Sequence, residues 1–174
     1  MMRFLVFIAP NNFKDETLAM VKTFFNRWNV QYHITSYSNK ECVGWHGAVV
    51  RPDVNAGKIV LSDYDGMLIV DGQGFTEYKL SEYRPFLDTI TAFNENKKTI
   101  VAINNSIMAV ARANIVKDKK ISTPQNEEVK RQIMLFRGIP SDERVEIMGN
   151  LITIKDSSGL EGPLQDVLTH IGVM

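Results

Sequence analysis

The residues whose types and spacing could do chemistry fall in three short stretches. "VAINNSIMAV" (101–110) runs apolar residues into Asn104-Asn105-Ser106 and then into a second apolar pattern. That is the form of a strand, a sharp turn and a helix, where many α/β enzymes carry a nucleophile. A carboxamide has no accessible anionic form, so Asn104 is a poor nucleophile. Asparagine does tolerate positive φ, so Asn104 reads as a residue that holds a strained turn. Ser106 would need an adjacent base, and none is visible nearby; it reads as a helix N-terminal cap. "DGQG" (71–74) is a weak phosphate-loop signal, because it lacks the Lys and Ser/Thr of a P-loop. Glu16, in "FKDETL" (13–18), stands where the helix dipole favours an acid.

The remaining reactive types point elsewhere. His33 lies in an alternating strand pattern, His46 in a turn-rich segment and His170 in the last helical pattern. All three read as structural or surface groups, and no pair has metal-ligand spacing. No metal and no cofactor is expected. Lys117, Lys119 and Lys120 are interrupted by Asp118 and read as a solvated turn. The 20 basic and 20 acidic residues cancel. Nucleic acid and anionic membrane both need a basic surplus, so neither is an expected partner. The one cysteine, Cys42, permits no internal disulfide and fits a reducing compartment. "MMRFLVFIAP" has an apolar core at the low limit for a signal peptide, and no small-residue cleavage site follows it. It reads as a first buried strand, and the expected localisation is cytoplasmic.

Positioning these residues requires a particular order of elements. "RFLVFIA" (3–9) is a continuous apolar run, as in a strand covered on both faces. Leu18, Val21, Phe24, Phe25 and Trp28 recur at helical spacing over 13–28. A second strand is expected at 30–38, a hairpin excursion at 44–61, a strand over 66–74 with a glycine-bearing end, and a helix over 82–96. Further strands are expected at 99–103 and as a pair over 144–155, and further helices at 106–115, 124–136 and 162–172. Pro124 suits the first position of its helix. With 44% hydrophobic residues the chain can bury a sizeable core. Alternating strand and helix over one domain, 1–174, implies an α/β fold: a mostly parallel sheet with helices on both faces. Ligands sit beyond the carboxyl ends of the strands in such folds. The loop after the first strand, "DGQG" and "INNS" converge there.

Those loops, in that order, carry a resemblance to the DJ-1/PfpI family of the class I glutamine amidotransferase-like fold. Ala102 and Ile103 match the start of the family's A-I-C-x-G elbow, and the stretch from Ala113 to Thr123 follows its continuation in outline. "DYDGMLIVDGQG" corresponds to the strand and P-G-G loop, Glu16 to the early glutamate, and "GNLITIKDSSGLEGPLQDVL" to the closing strands and helix. The resemblance implies a flavodoxin-like three-layer sandwich, a homo-oligomer (dimer or ring), and a site at Glu16, Gln73, Asn104 and Asn105. It places Asn104 where the family has its cysteine, Ser106 at a glycine, Asp71 at the proline and Gln73 at the second glycine of P-G-G. No histidine stands in "STPQNEE" (122–128), where the family often has one. By the same analogy Glu16 contacts Asn104, and the backbone N–H groups of Gln73 and Asn105 form an oxyanion notch.

Two functions follow from the resemblance and its departures. In the first, the protein has lost the cysteine mechanism and binds a small molecule or a partner in the residual pocket, in a catalytically silent or stress-related role. In the second it is a diverged protease- or amidase-type hydrolase, or a carbonyl-handling lyase, using Glu16 as acid/base, water and the backbone notch. A structural or chaperone-like role is a third possibility. A Glu16–Asn104 bond in a closed pocket would favour binding; an open cavity before Glu16 would favour hydrolysis.

Overall fold

The first apolar run becomes a strand covered on both faces. The computed structural model describes all 174 residues. Strand β1 (Arg3–Ile8) stacks Phe7 on Phe86 of helix α3 (Arg84–Glu95), with ring centroids 3.9 Å apart. Its Phe4 meets Phe25 of helix α1 (Asp15–Arg27) edge-on at 5.3 Å. Residues 4 and 7 differ in parity along the strand, so they serve opposite faces of the sheet.

The other sheet strands are β3 (Gln31–Ser36), β6 (Val54–Asn55), β7 (Gly66–Ile69), β8 (Thr99–Ile103), β11 (Val145–Met148) and β12 (Leu151–Ile154). They lie in the order β11-β12-β8-β7-β1-β3-β6. Every neighbouring pair is parallel except β11–β12, which turns tightly through Gly149-Asn150. Residues in β7, β8 and β12 are buried almost throughout, as strands covered on both faces must be. Helix α1 packs beside α6 (Glu161–His170), while α4 (Ile107–Arg112) packs beside both α3 and α5 (Glu127–Leu135). The fold is the expected α/β sandwich.

Outside this sheet, β2 (Asn11–Phe13), β4 (Cys42–Gly44) and β5 (Val49–Val50) form a small three-stranded sheet. This is the expected excursion, now attached to the loop after β1. Strands β9 (Lys120–Ser122) and β10 (Ile139–Ser141) pair in parallel; at three residues each they carry no readable alternation.

The strand order fixes where a ligand can sit. From β1 the chain moves outward to β3 and β6, then returns to the other side of β1 at β7 and proceeds to β8 and β12. The loops after β1 and β7 therefore leave in opposite directions, opening a crevice at the carboxyl ends of these two strands.

Two helix boundaries differ from the sequence reading by three residues, the others by one or two. Pro124 is not the first helical residue: Asn126 caps α5, its side chain accepting from the N–H groups of Glu128 and Val129. Helix α4 stops at Arg112, and Asn114 follows at φ 62°, a left-handed residue that ends a helix.

Candidate functional site

Strand β8 ends at Ile103, and residues 104–106 make one tight 3-10 turn before α4. Asn104 takes φ 51°, the left-handed conformation expected of a strained elbow. Ser106 does not cap α4. It is fully buried, and its Oγ accepts from Ile103 N–H at 2.8 Å and lies 3.0 Å from Ile69 O. The hydroxyl is enclosed by the ends of β7 and β8, which removes it as an accessible nucleophile.

Asn105 clamps the neighbouring loop. Its Oδ1 accepts from Gly72 N–H at 3.2 Å, and its Nδ2 donates to Gly72 O at 2.7 Å and to Thr76 Oγ1 at 3.1 Å. The elbow is thereby fastened to the start of α2 (Gln73–Glu77). Gly72 is required there: it has φ 136°, and a Cβ would come within 2.7 Å of both Asn12 O and Lys14 N.

Glu16 turns the other way. Its Oε1 lies 3.2 Å from His46 Nε2, and no hydrogen bond joins it to Asn104, so the Glu16–Asn104 contact is corrected. The cause is the preceding residue. Asp15 accepts from the N–H groups of His46 (Oδ1) and Ala48 (Oδ2), each at 2.9 Å, and folds the β4–β5 turn onto the start of α1. Burial pushes the Asp15 carboxyl up, but these backbone bonds outweigh it and hold the group below its ordinary value. Gly44 makes room, since a Cβ there would stand 2.3 Å from Asp15 Oδ2.

An open cleft of about 210 Å³ lies at the crevice, lined by Asn12, Lys14, Glu16, Trp45, His46, Gly72 and Gln73. Glu16 and Gln73 thus share one cleft; Asn104 and Asn105 do not line it, and Asn105 is joined to it through Gly72. Gln73 opens α2, so its N–H has no acceptor within that helix. His46 and Trp45 were missed by sequence reasoning. The available signal was the small-residue frame of "GWHGA" (44–48), which lets a turn present two large rings.

Behind the cleft lies a buried acid. Asp71 is 1% exposed; its Oδ1 accepts from Thr17 Oγ1 at 2.7 Å, and its Oδ2 has no hydrogen-bond partner. Burial pushes its carboxyl up, against the opposing influence of Thr17, nearby Ser157 and the Lys14 charge. Lys14 Nζ itself donates to Ser157 Oγ at 2.7 Å, tying the cleft to the segment after β12. Cys42 is fully buried in β4, and burial pushes its thiol up, away from the reactive thiolate.

Comparison with known proteins agrees with the fold. The model of the DJ-1/PfpI family matches residues 2–161. The chain belongs to the DJ-1/PfpI family. It is 29% identical over 151 residues to an uncharacterised protein of Methanocaldococcus jannaschii, covering 87% of this chain and 73% of that one. An uncharacterised Archaeoglobus fulgidus protein is 24% identical over 152 residues, 87% of this chain and 88% of its own. Among solved structures, a ThiJ/PfpI domain protein from Brachyspira murdochii superposes with TM-score 0.91 at 17% identity, covering 99% and 97% of the two chains. DJ-1 of Schizosaccharomyces pombe superposes with TM-score 0.81 at 15% identity, covering 98% and 92%. These structural likenesses are likenesses of fold.

Proposed function

We propose that this DJ-1/PfpI protein works without the cysteine mechanism and binds a small polar molecule in the cleft between the ends of β1 and β7, forming no covalent intermediate. The observation that carries this reading is the elbow. Asn104 supplies the backbone conformation without a nucleophile, Ser106 is enclosed, and Cys42 lies buried in another sheet. Glu16, Gln73, Asn104 and Asn105 take the roles of cleft wall and cleft support, and no metal or cofactor is needed for them.

The reading is tested by thermal-shift screening of a metabolite library on wild type and Trp45→Ala. A ligand that raises the Tm of wild type by several degrees and of the variant by much less supports it. A set of ligands that stabilise both proteins equally contradicts it.

A second reading, hydrolysis by water in the same cleft, is favoured by one observation: Glu16 faces an open cleft and His46 rather than Asn104. We also propose that 1–174 acts as one domain, in the cytoplasm, as a homo-oligomer. The single buried cysteine supports a reducing compartment. Exposed Tyr37, Val43, Val49 and Tyr78 support a contact with a second copy of the chain. No helix is long and apolar enough to cross a membrane.

A further inference from the structure

We propose that His46 is a general base, oriented by Glu16, that activates water against a small ester bound in the cleft. The inference rests on the reading of this cleft as the ligand site and gives it a chemistry. Glu16 Oε1 lies 3.2 Å from Nε2, so in the neutral ring the proton belongs on Nε2, facing the carboxylate, and the lone pair on Nδ1. The side chain is 66% exposed, so the ring stands in contact with solvent.

Three features separate this pair from an incidental surface contact. The backbone of His46 is held by Asp15, and Gly44 is shaped to admit that carboxylate. The other histidines are committed elsewhere: His33 Nδ1 lies 2.9 Å from the Tyr64 hydroxyl, and His170 Nε2 lies 3.0 Å from Gly149 O. His46 is the only histidine paired with a carboxylate. Finally, the pair shares its cleft with the Trp45 ring, an apolar platform, and with Lys14 and Gln73, which supply polar contacts.

The step balances without a cofactor. Nδ1 takes a proton from water as the water oxygen bonds to the ester carbon. The carbon–oxygen bond to the alcohol then breaks, and the alcohol leaves with the proton from Nδ1. The acid product and a neutral imidazole remain, and Glu16 neither gives nor takes a proton in the step. His46 is the catalytic residue; Glu16 is a positioning residue.

The test is hydrolysis of p-nitrophenyl acetate by wild type, His46→Gln, Glu16→Gln, Glu16→Asp and His170→Gln, each checked for folding by circular dichroism. His46→Gln is expected to lose about 100-fold in kcat/KM, the lower range of what a positioned general base supplies. Glu16→Gln is expected to lower kcat with KM unchanged, Glu16→Asp to restore part of it, and His170→Gln to match wild type. Full activity in His46→Gln, or an equal loss in His170→Gln, would overturn the proposal. So would an acetylated protein accumulating on the reaction path, because water would then not be the first nucleophile. If wild type shows no turnover while a cleft ligand still gives Trp45-dependent stabilisation, this inference fails and the binding reading stands.

Discussion

Asn104 sits at φ 51°, where a β-branched side chain clashes with its own backbone. Asn104→Val should therefore destabilise the protein by about 1–2 kcal/mol in urea denaturation, whereas Asn104→Gly should hold wild-type stability. If both behave alike, the asparagine is not there for the turn. Asp71 makes the opposite kind of argument, because it weakens the fold that contains it. Its folded carboxyl titrates above the ordinary value of 3.8, so ionisation at neutral pH works against the native state. That penalty is absent below 3.8, where both states carry the proton, and grows as pH rises through the raised native value. Asp71→Asn keeps the acceptor for Thr17 and removes the charge. It should be more stable than wild type by about 1–3 kcal/mol at pH 7, with the advantage fading toward pH 3. Equal stability of the two proteins at pH 7 would show that the buried carboxyl carries no such cost.

Among the elements, the cleft depends on two side-chain clamps, Asn105 on the Gly72 loop and Asp15 on the β4–β5 turn. Asn105 fixes the start of α2 through three hydrogen bonds, so Asn105→Ala should cost about 1–3 kcal/mol and speed amide exchange over residues 71–78. Unchanged exchange there would mean that the loop is held by its glycines alone. Neither clamp was legible in the sequence, although the elements they join were. Continuous apolar runs marked β1, β7 and β8 because full burial leaves no alternation to disguise them. Helical spacing marked α1 and α3. Asn105, Asp15 and Asn126, by contrast, act on backbone groups whose positions only the folded chain defines. His46 is the surface group its turn-rich segment suggested; its pairing with Glu16 was not legible because Glu16 is thirty residues away in sequence and becomes its neighbour only through the Asp15 turn. The short pairing of β9 with β10 and the buried bridge made by Ser106 stayed unread for the same reason.

The whole molecule combines the DJ-1/PfpI fold with an elbow that turns on Asn104. The strand order alone places a crevice between β1 and β7, and the chain fills its rim with Lys14, Glu16, Trp45, His46 and Gln73. The exposed line of Tyr37, Tyr78, Val43 and Val49 continues outward from this rim: Val43 pairs with Val49, and Tyr78 bonds to Asn11, which pairs with Val43. If a second copy covers it, sedimentation should show a dimer or larger ring in wild type and a shift toward monomer in Val43→Glu with Val49→Glu; a monomeric wild type would refute that contact. The functional reading depends on the cleft being a non-covalent binding site. The most direct measurement is amide chemical-shift mapping by NMR as the metabolite hits from the thermal screen are titrated in. Saturable, reversible shifts concentrated at Asn12, Lys14, Glu16, Trp45, His46, Gly72 and Gln73 are expected. Shifts centred on another surface, or a covalent adduct that persists after dialysis, would contradict that reading.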